Sequence, residues 1–114
     1  MEQLNLFTTY EDRTVGAANH GVTDTNNLLA ERGARYGKFI DQSRIAQTLK
    51  SVLRCEMGEA KWNYLMSDQK EALDMICHKL ARIANGDPDY HDSWADIAGY
   101  AKLVSDRLET GKEV

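Results

Sequence analysis

Four carboxylates stand at helical spacing in the C-terminal half of this sequence: Glu71 with Asp74, and Asp92 with Asp96. Residues three or four apart share a helix face, so each pair would present two acids from one turn. Two helices facing each other could converge Glu71 and Asp74 on Asp92 and Asp96, and four such oxygen ligands suit a hard cation such as Mg²⁺. Asp96 projects on the shoulder of an apolar face, between Tyr100 and Leu103. A carboxylate there is partly desolvated and needs a cation, a hydrogen-bond donor or a metal. An ion pair with Lys79 or Arg82, or a hydrogen bond from a tyrosine, would satisfy it as well as a metal would. Glu71, Asp74, His78 and Arg82 fall together opposite the apolar stripe Leu73, Ile76, Leu80 and Ile83, a pattern that also describes a solvated face.

Two helices must carry these groups. Ser67 can cap the first, and Asn85, Gly86, Asp87 and Pro88 end it, since Gly relaxes the φ restriction at a helix C-terminus and Pro cannot continue the ladder. The loop is Gly86 to His91. The second helix begins near Asp92 or Ser93 and runs to about Leu108, with Trp94, Ile97, Ala101, Val104 and Leu108 as its apolar face. Two earlier helices are expected. One spans about Thr25 to Tyr36 and the other Phe39 to Met57, with Ile45, Leu49, Val52 and Leu53 as the core stripe of the latter. Trp62 and Tyr64, between helices, read as plugs for the end of a bundle. Arg32, Arg35, Tyr36 and Lys38 gather at a helix C-terminus, where cations complement the dipole; they also offer a flat ring and charge to a nucleotide.

The acidic pair at Glu71 and Asp74, the basic residues Lys79 and Arg82, the turn NGDPDY and the run DSWADIAGYAKLV resemble the all-α nucleoside triphosphate pyrophosphatase superfamily, the MazG-like and dimeric dUTPase-like proteins. That pattern is Glu-x-x-Glu on one helix and Glu-x-x-Asp on the next. Over Leu28 to Leu108 the chain is also similar to small phage- and prophage-encoded proteins. Asp74 stands where the pattern has its second Glu, and Ser93 stands where it has its third, with Asp92 one residue before. The resemblance implies Mg²⁺ held by Glu71, Asp74, Asp92 and Asp96, with Glu71, Asp74 and Asp96 in the catalytic set. It implies outer phosphates neutralised by Lys79 and Arg82, and Tyr100 steadying Asp96 or the sugar. Tyr36 and Arg32 join the nucleotide-binding residues. Hydrolysis would fall at the α–β linkage, releasing pyrophosphate. A homodimer or homotetramer is implied as well. A phage accessory protein that binds a host factor, or one that sequesters a nucleotide without turnover, is the rival reading, with Ser93 as its support.

Composition sets the outer bounds. A chain of 114 residues with 42% hydrophobic and 28% charged residues suits one helical domain, expected at residues 23–110 between a flexible arm (1–22) and a frayed tail (111–114). The expected architecture is all-α, a small antiparallel four-helix bundle of MazG-like type. A formal net charge of −4 argues against broad nucleic-acid binding. Cys55 and Cys77 lack zinc-ligand spacing and read as buried free thiols in a reducing compartment. The N-terminus lacks a basic flank followed by an apolar core, and no run reaches bilayer length, so a cytoplasmic protein without membrane contact is expected.

Overall fold

The computed structural model describes residues 18–111, all of its regular structure helical: α1 (Ala18–Tyr36), α2 (Phe39–Met57), α3 (Glu59–Tyr64), α4 (Ser67–Asn85) and α5 (His91–Thr110). None of these helices is long and apolar enough to cross a membrane. The chain divides into two compact units, Met1–Ala34 and Arg35–Val114. In the first, α1 begins at Ala18, upstream of the Thr25 start expected from the capping residues, and Thr25 itself is a buried helix residue. Gly21 does not prevent this, because one interior Gly costs only about 1 kcal/mol against Ala. The boundary expected at residue 22 therefore falls inside a helix. The rest of the expected arm, residues 1–17, lies outside the described residues.

In the second unit α4 lies between α2 and α5 and packs against both, while α2 and α5 make little contact with each other. A helix flanked on two sides must bury two lines of residues. At 100° per residue, Cys77 and Ala81 fall on one side of α4, and Ala72 and Lys79 on nearly the opposite side; all four are buried. Most are small, as are the buried Ala46 of α2 and Ser93 of α5, which lets the helix axes approach closely. The stripe Leu73, Ile76, Leu80 and Ile83, expected to form the core, points between the two contact lines instead. Leu80 remains 40% exposed. Val52 and Trp94, also expected in apolar cores, are exposed.

The segment expected as a plain connection holds the short helix α3. Trp62 is buried as expected, with the Arg54 guanidinium 4.5 Å above its ring, whereas Tyr64 is 84% exposed. Cys77 is buried, and Cys55, expected to be buried with it, is exposed. Met66 rather than Ser67 takes the N-cap of α4, where the Gln69 side chain accepts the Met66 N–H at 2.9 Å. Tyr90 is the N-cap of α5, and Gly111 ends that helix in the left-handed conformation.

The turn between α4 and α5 is joined to the turn between α1 and α2. Asn85 Nδ2 donates to the carbonyls of Tyr36 at 2.8 Å and Lys38 at 3.0 Å, and the Asp87 N–H donates to Arg35 O. The backbones meet so closely that a Cβ on Gly86 would lie 2.0 Å from Arg35 O and 2.3 Å from Tyr36 Cα. Gly37 reverses the first turn at φ +78°, a conformation that favours glycine. Within the second turn Asp87 Oδ1 accepts the Asp89 N–H at 2.9 Å, and Trp94 Nε1 donates to Pro88 O at 2.7 Å. The NGDPDY sequence is thus a turn shaped to fit another turn.

Two glycines should respond with opposite sign. Gly86→Ala drives its methyl into a neighbouring backbone and should destabilise by at least ~2 kcal/mol, the overpacking range. Gly99→Ala, with no atom near its added Cβ on an exposed stretch of α5, should stabilise by ~0.5–1 kcal/mol. Urea midpoints for the two variants moving in the same direction would refute this account of the packing.

Candidate functional site

Two ion pairs set the register of the antiparallel helices α4 and α5. Arg107 Nη2 donates to Asp68 Oδ1 at 2.9 Å, with a second contact from Arg107 Nε to Asp68 Oδ2. Lys79 Nζ stands 2.9 Å from Asp96 Oδ2. The Arg107 guanidinium beside Asp68 holds its carboxyl below the usual carboxylate range. The inner pair has the greater structural consequence, because the Lys79 side chain is only 1% exposed and that of Asp96 22%.

This register governs the four carboxylates. Asp96 stands level with Lys79, eight residues along α4 from Glu71, an axial offset of about 12 Å at ~1.5 Å per residue. Asp74 is five residues from the same level, about 7 Å. Asp92 lies a turn further away still, its Oδ2 accepting a 2.9 Å hydrogen bond from the Tyr90 hydroxyl. Glu71 is exposed and Asp74 half-buried. Among the described residues no group of three His, Cys, Asp or Glu side chains is placed to hold a metal. The acids named for Mg²⁺ thus split into a Glu71/Asp74 pair on α4 and two α5 residues already bonded to Lys79 and Tyr90.

The residues named for a nucleotide are placed as follows. Lys79 and Arg82 are each 1% exposed and are the largest fully buried side chains described. The Arg82 guanidinium lies 4.0 Å from the centroid of the Tyr36 ring, which is itself buried and meets Tyr90 edge-on at 5.9 Å. Arg35 covers Tyr90 at 4.8 Å. Two guanidiniums therefore flank a pair of tyrosine rings at the corner where the turns meet, one on the face of each ring. Tyr100 is half-buried on α5. Arg32, in the first unit, is 7% exposed, and its Nε and Nη1 are buried without a hydrogen-bond partner. Gln42 Nε2 of α2 is in the same condition.

The face of α4 expected to be solvated thus contains a buried arginine. Sequence reasoning named the Lys79–Asp96 pair as one alternative, but the joined turns had no such signal: Gly37 and Asn85 are far apart in sequence, and only their contact shows why each is needed. His78, half-buried on α4, has its pKa lowered to about 3 by desolvation first, then by Arg82, Lys79 and Lys50. Burial pushes the Cys77 thiol up, with Asp74 adding to the shift and Lys50 opposing it.

A family defined by a domain of unknown function, DUF6378, matches residues 22–108. No curated protein and no solved structure matches the chain.

Asp96→Asn removes the carboxylate paired with the buried Lys79 ammonium and should cost ~3 kcal/mol of stability. Glu71→Gln, on an exposed side chain, should stay within about 0.5 kcal/mol of the parent. Equal urea midpoints for the two variants would show that Asp96 is no structural counter-ion. His78 predicts an acid limb. Below about pH 6.5 the unfolded chain takes up a proton that the folded imidazole refuses, so stability falls as pH drops toward 3. His78→Gln removes that titration, and its stability should decline less steeply between those limits; an unchanged slope in urea melts across the range would contradict the assignment.

Proposed function

The chain belongs to the DUF6378 family, and we propose that it is a nucleotide-binding protein on a MazG-like four-helix scaffold that does not hydrolyse its ligand as a single chain. The resemblance of Glu71, Asp74, NGDPDY and DSWADIAGYAKLV to the all-α pyrophosphatases supports a nucleotide as ligand. One observation carries the departure from hydrolysis: Asp96, the residue that matches the pattern's aspartate, is held by a lysine that is 1% exposed. Recruiting Asp96 to a metal would divide the carboxylate between that ion and the buried Lys79 ammonium it now neutralises, which weakens a pair that is costly to disturb. Ser93, in place of a third glutamate, supports the same departure, because it is 3% exposed in the packed face of α5.

The reading includes a cytoplasmic homodimer or homotetramer. An open groove of about 250 Å³ between α4 and α5, lined by Leu65, Ala72, Leu73, Ile76, Ala101 and Val104 around Gln69, supports association through an uncharged face. Glu71 and Asp74 are the two acids of the pattern left uncommitted, and they would set the charge around a bound phosphate or its counter-ion.

Titrating the purified chain with canonical and modified nucleoside triphosphates, with and without Mg²⁺, tests the proposal by calorimetry and pyrophosphate release. Saturable binding without turnover is expected. Mg²⁺-dependent pyrophosphate release would overturn the non-hydrolytic reading. Absence of binding across the panel would overturn the nucleotide reading and leave a protein partner as the function.

A further inference from the structure

Asn85 and Gly86 form the one Asn–Gly pair in the sequence. Asparagine is among the thermally labile residues. A following glycine makes it more so, because no side chain hinders the glycine nitrogen as it approaches the asparagine Cγ. We propose that Asn85 is a deamidation site that the fold holds closed, and that its conversion permanently disconnects the two turns it joins.

In the reaction the Gly86 amide nitrogen loses its proton and attacks Asn85 Cγ. The new N–C bond closes a succinimide as the Cγ–Nδ2 bond breaks and ammonia leaves with the proton. Water then opens the ring, at Cγ to give aspartate or at the main-chain carbonyl to give isoaspartate, which carries an extra methylene in the backbone. The only co-reactant is water.

Both reacting groups are restrained in the folded chain. Asn85 Nδ2, the leaving group, donates to Tyr36 O at 2.8 Å and Lys38 O at 3.0 Å. The Gly86 N–H, the nucleophile, donates to Arg82 O at 2.9 Å in the final turn of α4. Cyclisation requires all three hydrogen bonds to open and Cγ to turn toward Gly86. The surrounding backbone leaves little room for such movement, since Gly37 is packed against Asn85 and Gly86 against Arg35 and Tyr36. The reaction must therefore pass through a local or global opening of this corner.

Neither product can close the corner again. Aspartate places an anionic acceptor against two carbonyl acceptors that had shared an amide donor. Isoaspartate lengthens the main chain where a single added Cβ would already overlap Arg35 O. A chain that opens long enough for Asn85 to react thereby carries a covalent record of that opening and refolds with a weakened corner.

Mass spectrometry of the full chain, incubated in mildly alkaline buffer with and without denaturing urea, tests the protection. The reading is the gain of roughly one dalton when an amide becomes an acid, on the tryptic peptide Ile83–Lys102. Conversion should be at least about ten-fold slower in the folded chain. Equal rates in the two conditions would overturn the proposal. Asn85→Asp makes one product directly, and its melting temperature should fall below that of the parent; an unchanged melting temperature would overturn the second half. If Asn85→Asp does not fold, chain deamidated in urea and returned to buffer supplies the same comparison, with full recovery of the parental melting temperature as the contrary result.

Discussion

An ammonium group that is 1% exposed has lost its hydration and must find its counter-charge inside the protein. Lys79 finds it on Asp96, and much of the second unit's arrangement is consistent with that requirement. The pair holds α5 in antiparallel register beside α4, a register that Arg107 and Asp68 repeat near the far end of the same helices. It also commits the one α5 carboxylate that sequence comparison would first assign to a metal. An acid can neutralise a buried lysine or donate to a hard cation; doing both with the same oxygens divides its charge between two positive centres.

The corner formed by the two turns meets a different constraint, the satisfaction of backbone groups at helix ends. The last carbonyls of α1 and the first residues of α2 lie beside the end of α4, and one asparagine amide serves two of those carbonyls. Its geometry requires a left-handed residue at Gly37 and a residue without a side chain at Gly86. The rings and guanidiniums beside it, Arg82 on Tyr36 and Arg35 on Tyr90, fill the space with side chains that are flat enough to stack and charged enough to orient. The NGDPDY turn and Arg82, both parts of the motif that suggests an enzyme, thus have structural roles in this corner.

The position of α4 between two neighbours also explains why its apolar stripe is only partly buried, with Leu80 exposed. Contact lines on both sides take up small residues, and the larger aliphatic side chains Leu73, Ile76 and Leu80 are directed to the face between them. There Leu73 and Ile76 line a groove with Ala101 and Val104 of α5. An uncharged face of that kind is more suited to another apolar surface than to a phosphate, which is why the proposed self-association and the proposed nucleotide draw on different parts of the molecule.

Helix content, the helix breaks near Gly37, Gly58 and Gly86, and the pairing of acids along α4 and α5 are set by local chemistry, and all were legible in the sequence. Periodicity also ranked Leu73, Ile76 and Leu80 as core and Arg82 as surface. That ranking failed because a hydrophobic stripe identifies which face is apolar, whereas burial depends on which neighbours arrive and from which side. Lys79 could be named beside Asp96 from sequence, but not chosen over a metal, since the choice depends on desolvation by packed helices. The joining of Asn85 to Tyr36 and Lys38 was invisible for a related reason: hydrogen bonds between distant turns leave no periodic trace in either one. Local propensity determined the helices of this protein, and the order in which they pack decided which of its charges became structural.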